Sequence, residues 1–297
     1  MRKIAFFLVA WASIDAAHAH SYAEPADGSR WTFDPWVVVP LLVVGSLYAL
    51  GAIRLARRST RRTGRAWRYL AFLMGWLSLI AALVSPMHWL GERMLAFHMV
   101  EHEILMAVSA PLLVLARPVG IWMWSFPRRL RVAGGRLMRS PLAGSLWGLL
   151  SGGRNATLLH AMAIWAWHAP PLFDAAVSDP TLHRLQHLSF FATAVLFWWS
   201  VLRRSAIGAA AWHVFVTMLH TSVLGALMAL SPRLLYQQDY SIAGSWGLSQ
   251  LEDQQLAGLI MWVPAGTIYA GVALALIAIW INGTARSVRH SNVVGVS

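Results

Sequence analysis

Long apolar stretches alternate with short polar or basic ones along most of the chain. Seven of them, at about 36–53, 69–87, 94–116, 155–169, 183–202, 206–230 and 256–281, are close to the roughly 20 apolar residues a helix needs to cross a bilayer. The fourth is the shortest and is open to an earlier start. The pattern predicts an all-α, polytopic membrane bundle of seven transmembrane helices over residues 36–282. Before it, a basic start, a short apolar run and Ala17-His-Ala19 have the form of a signal peptide over residues 1–19. An uncleaved anchor is the alternative. Residues 20–35 then form a polar external segment, and 283–297 a short basic tail. Between the third and fourth spans the stretch at 127–150 is amphipathic, follows Trp122 and Trp124, and is expected to lie along the membrane interface.

Charge gives the bundle an orientation. Lys and Arg number 24 against 12 Asp and Glu, and the sequence pI is about 11.4. Such a balance can signal nucleic-acid binding, but eighteen of the arginines lie at 54–68, 117–154, 203–204 and 282–297, segments without Asp or Glu. Arginines confined to alternate loops read as topology signals and contacts to anionic lipid, so no nucleic acid is expected. The positive-inside rule then places the N-terminus out and the C-terminus in. Charged residues make up 12% of the chain, against about 25% in soluble domains, and mean hydropathy is +0.54. Two glycosylation-type sequences, at 155–157 and 282–284, fall on the inner side and are discounted. Cysteine is absent, which excludes disulfides and thiolate metal sites.

The histidines change the picture most. His98 and His102 are four apart, one turn on nearly the same helical face, a spacing that suits a two-ligand metal clamp. With the predicted topology, His88 ends the second span, His98 and His102 occupy the outer half of the third, and His168 ends the fourth. His183 and His187 open the fifth. Six histidines therefore fall in one outer layer of four successive helices, where ionisable groups are costly and usually functional. A buried hydrogen-bonded pair is the plainer reading of any two of them. His220, His160 and His213 lie deeper, either as packing residues or as a polar track leading inward. Cleavage after Ala19 would expose His20, whose amine and imidazole can chelate Cu(II).

Around these, Glu101 borders the His98–His102 face as an orienting acceptor, a ligand or a neutral acid. Asp253 either orients a ligand or caps the last span, and Met261 shares its face two turns on. Methionines are soft Cu(I) ligands or core fillers, Met94 and Met87 being the better placed for ligation. Imidazole suits copper, zinc and iron, and a bis-histidine haem is the rival occupant. No quinone or nucleotide motif and no nucleophile–base pair stands out, so no catalytic residue is expected.

Taken in order, His98-Met-Val-Glu-His102, Ala110-Pro-Leu-Leu with Arg117-Pro118, Trp167-His168-Ala-Pro170, His183-Arg-Leu-Gln-His187 and Asp253-Gln-Gln-Leu-Ala-Gly-Leu-Ile-Met-Trp262 resemble the CtaG-type cytochrome c oxidase assembly factors. The resemblance covers about residues 35–282. It implies a seven-helix protein of the bacterial inner membrane that is not an enzyme and that matures haem–copper oxidases by handling copper. The implied ligands are His98, His102, His168, His183 and His187, with Asp253 and Met261 beside them. His88 and Glu101 match less closely. The implied partners are oxidase subunits, membrane lipid and a periplasmic copper donor. A haem-binding oxidoreductase and a copper permease are the alternatives.

Overall fold

In a computed structural model, residues 30–58, 66–237 and 242–294 are described, with side chains to residue 283. The expected signal peptide, His20, residues 20–29 of the external segment, Arg61, Arg62, Arg65 and the side chains of the tail lie outside the described residues. The described backbone is helical and turns, without a strand. The order is α1 (Pro35–Arg58), α2 (Ala66–Leu83), α3 (Pro86–Gly91), α4 (Leu95–Ala116), α5 (Pro118–Ser125), α6 (Arg128–Met138) and α7 (Pro141–Leu150). There follow α8 (Gly153–His168), α9 (Pro170–Ser178), α10 (Pro180–Arg203), α11 (Ile207–Ala229), a single 3-10 turn (Ala243–Trp246) and α12 (Gln250–Val294). Proline opens α3, α5, α7, α9 and α10, where its missing N–H would have no intrahelical partner anyway.

Among the described residues, six segments are long and apolar enough to cross a membrane: α1, α2, α4, α10, α11 and the 250–283 part of α12. The chain thus has the make-up of a multi-pass membrane protein. The expected fourth span corresponds to α8, which has only 16 residues. At 1.5 Å per residue it reaches about 24 Å, short of a hydrocarbon core of about 30 Å. α12 runs well past both ends of the expected last span, and Pro264 within it does not break it.

α4 is the hub. In its apolar window 61% of residues are buried, against 11% for α1, and it packs against α2, α3, α10 and α12. α11 and α12 form the most extensive pair. Their contact depends on Gly258, where a Cβ would collide with the Ala229 amide nitrogen and the Gly225 carbonyl oxygen. Without a hydrophobic force between helices in lipid, such small-residue contacts carry much of the packing. Outside the bundle, α6 and α7 bury no residue, and Arg131 of α6 lies 4.2 Å from the Trp124 ring centroid.

One irregularity shapes α4. Residues Ile104–Ser109 are π-helical, and the Ala110 amide bonds Leu105 instead of Met106. The Met106 carbonyl would then look to residue 111 for its donor, but Pro111 has no N–H. Trp198 of α10 fills the gap, its indole N–H donating to Met106 at 2.8 Å. The bulge begins two residues after His102, a common position relative to functional residues.

Candidate metal centre

Helical spacing places His98 and His102 together on α4 and His183 and His187 together on α10, each pair with ring centroids 4.3 Å apart. The two helices then interleave them. His98 lies 5.3 Å from His183 and 5.9 Å from His187, and His102 lies 5.1 Å from His187. His168, the last residue of α8, comes within 5.9 Å of His102. On the other flank His88, from α3, lies 5.8 Å from His183. Six histidines of four helices form one continuous cluster. His98, His183 and His187 offer ring nitrogens that all lie within 4.8 Å of one another. Nitrogens around a tetrahedral metal at about 2.0 Å sit about 3.3 Å apart, so a rearrangement on the order of 1 Å closes this set on an ion.

The tautomers favour ligation. His168 Nδ1 lies 2.7 Å from the Ile164 carbonyl, an acceptor only, so Nδ1 carries the proton and Nε2 a bare lone pair. His98 likewise donates to the backbone of Gly91. The Nε2 atoms of His98, His168, His183 and His187, and both ring nitrogens of His102, are buried with no hydrogen-bond partner. A metal-binding histidine typically gives its second N–H to a carbonyl or carboxylate, as His98 and His168 do.

Glu101 sits beneath this cluster, fully buried. One oxygen is 3.1 Å from His88 Nδ1 and the other 4.0 Å from His187 Nε2. His88 lies outside the candidate spans. Burial pushes its imidazole down, but the Glu101 carboxylate, with Glu92 and Asp34, outweighs this and raises it to about 9. His88 and Glu101 thus form a close pair beside the other imidazoles. Gly91 makes the arrangement possible: a Cβ there would lie 2.6 Å from Glu101 Oε1. Phe173 and Phe190 wall the cluster, edge-on to His98 at 5.4 Å and to His102 at 4.7 Å.

Asp253 reaches across from α12 to α4. Its two carboxylate oxygens accept the Leu95 and Ala96 amides at 2.7 and 3.0 Å. It therefore caps the helix that carries His98 and His102, rather than its own, which places it in support of the cluster. Met94 is the buried residue preceding that first turn. Met261 belongs to the apolar core, and His220 lies deeper, beside His160. The chain's order and spacing gave no sign of Gly91, Phe173 or Phe190; only Pro111, a proline inside an apolar span, hinted at the bulge.

Comparison with known proteins adds a family. The model of the cytochrome c oxidase caa3 assembly factor family matches residues 46–283. Among curated proteins, an uncharacterised protein of Mycobacterium leprae is 27% identical over 268 residues, covering 84% of this chain and 39% of its own length. An uncharacterised protein of Mycobacterium bovis is 28% identical over 269 residues, covering 86% and 40%. The chain spans about two fifths of the length of these relatives. No solved structure matches it.

Proposed function

Because this chain belongs to the cytochrome c oxidase caa3 assembly factor family, we propose that it takes up copper at the histidine cluster and passes it to an oxidase subunit. Copper is cargo in this reading, and the protein is a carrier rather than an enzyme. The observation that carries the proposal is the convergence of His98, His183 and His187, with their ring nitrogens within 4.8 Å. His102 and His168 extend the same lone-pair surface. Neighbouring imidazoles let an ion move by exchanging one nitrogen for the next, so no step strips it bare of ligands. The crowding of the rings, with Phe173 and Phe190 against them, favours a small ion over a haem macrocycle.

In this reading α8 is a seventh, short span, the N-terminus faces outward, and a signal peptide directs the chain to the bacterial inner membrane. The cluster then opens to the periplasmic side, where a copper donor meets it. A copper permease is the second reading, suggested by the deeper histidines His160 and His220.

The test is the metal content of the purified full chain together with oxidase activity in cells. His98→Ala with His102→Ala should lower bound copper and impair oxidase maturation. Wild-type copper content with full oxidase activity would refute the proposal.

A further inference from the structure

A second group of unsatisfied polar atoms lies deeper in the bundle, apart from the histidine cluster. The buried stripe of α8 reads Thr157, His160, Ile164, His168. His168 joins the outer cluster, and His160 lies eight residues, about 12 Å, further along the helix. Between them Ile164, with Phe190 and Ala194 of α10, forms fully buried apolar packing.

The register of α8 against α11 is marked by the contact of His213 Nδ1 with Thr157 Oγ1 at 3.1 Å. Under the topology proposed above both helices run outward, so three or four residues beyond that contact His160 comes level with Thr217. His220 is on the same stripe as His213 and Thr217 at helical spacing. Helical side chains lean towards the N-terminus, which brings the His220 ring down to the level of His160. The two imidazoles interact electrostatically.

Their chemistry is determined by neighbours. Thr193 donates its single hydroxyl hydrogen to the carbonyls of Ser189 and Phe190, at 2.7 and 3.2 Å. Its oxygen lies 3.0 Å from His160 Nδ1 and can accept from it, the tautomer in which His160 Nε2 presents a bare lone pair. That Nε2, both nitrogens of His220 and the Thr217 hydroxyl are all buried without a partner. His160 and Thr217 are fully enclosed.

We propose that His160 and His220, with the Thr217 hydroxyl, form a second, inner cation site for a monovalent copper-class ion. The charge follows from the surroundings. The cost of desolvating an ion scales with the square of its charge, so a divalent ion costs about four times a monovalent one in the same medium. The inner pair offers only neutral donors, with no carboxylate among them to offset a higher charge. Two imidazoles suit the low coordination number of cuprous ion. The site draws on the proposed outer cluster for its supply of copper, but its ligands are its own.

The test is an anaerobic titration of the detergent-solubilised full chain with cuprous ion against a chromophoric chelator. His220→Leu is the informative variant. Its ring makes no hydrogen bond, so if His220 is mere packing the change leaves copper binding untouched and, by removing unsatisfied buried atoms, the fold no less stable. The inner site predicts one copper equivalent fewer than the unmodified chain, the outer equivalents being retained. His160→Gln should lose the same equivalent. His98→Ala with His102→Ala should lose outer copper and keep the inner equivalent. If the outer variant binds normally while His220→Leu loses one equivalent, the copper reading of the outer cluster fails and the inner site stands. Unchanged stoichiometry in both His220→Leu and His160→Gln overturns it.

Discussion

Gly91→Ala probes the outer cluster without removing any imidazole. The new methyl would lie 2.6 Å from Glu101 Oε1, 2.7 Å from its carboxyl carbon and 3.0 Å from Oε2. Ordinary contact needs about 3.4 Å or more, so the carboxylate or the backbone must move by roughly 0.8 Å. Glu101 has little room to yield, because His88 holds one oxygen at 3.1 Å and His187 faces the other at 4.0 Å. The backbone is no freer, since the imidazole of His98 bonds to it at Gly91. Overpacking of this kind costs about 1–3 kcal/mol, offset by up to about 1 kcal/mol from the better helix propensity of alanine. That leaves a net cost of about 0–3 kcal/mol. Copper affinity should also fall, because disturbing the groups that orient ligands typically weakens metal binding by about 10–100-fold. Chelator competition on the purified variant measures the affinity, and a thermal scan checks that the fold persists. Adding Glu101→Asp shortens the displaced side chain and should restore part of the loss, the coupling expected of residues in contact. Wild-type copper affinity in Gly91→Ala would show that Glu101 does not help position the ligands.

Three further outcomes follow from other contacts. Asp253→Asn removes the charge that accepts the Leu95 and Ala96 amides and turns an N–H towards them. It should cost about 0.5–2 kcal/mol of stability and loosen copper binding by displacing the first turn of α4, read by thermal scan and chelator competition. Trp198→Phe leaves the Met106 carbonyl buried without a donor and should destabilise the fold by about 1–3 kcal/mol, whereas the same change at exposed Trp212 should be nearly neutral. Asp179 caps the start of α10, and the amides of Leu182 and Thr181 hold its carboxyl below the usual 3.8. Its folded value being depressed, the cap contributes fully above pH 3.8 and is lost as pH falls through the lower, folded value. Protection of the Thr181 and Leu182 amides against hydrogen exchange, taken relative to the intrinsic rate at each pH, should fall in that acid window, and Asp179→Ala should lack the fall.

How far the sequence reached depended on the range of each interaction. Helical spacing was enough to group His98 with His102 and His183 with His187, and the structure brings these together with His168 and His88. Which side chains touch across helices does not follow from such spacing. Asp253 and Leu95 are 158 positions apart, and nothing local distinguishes a cap on its own helix from a cap on another. Glu101 was visible as an ionisable group in a span, but its enclosure depends on Gly91 lacking a side chain, which no pattern of polarity records. Met261, read from the sequence as a neighbour of the site, lies among the buried apolar residues of the bundle. The fourth apolar stretch read as a span because its residues are apolar, yet α8 is shorter than the others: Gly152 marks its start, and Pro170 follows its last turn directly.

X-ray absorption at the copper edge, on the full chain loaded with copper, tests the central claim most directly. Convergent imidazoles predict nitrogen scatterers at about 2.0 Å with the multiple-scattering pattern of histidine rings, reduced in number by His183→Ala with His187→Ala. Copper surrounded by oxygen alone, or a spectrum unchanged in that variant, would contradict it.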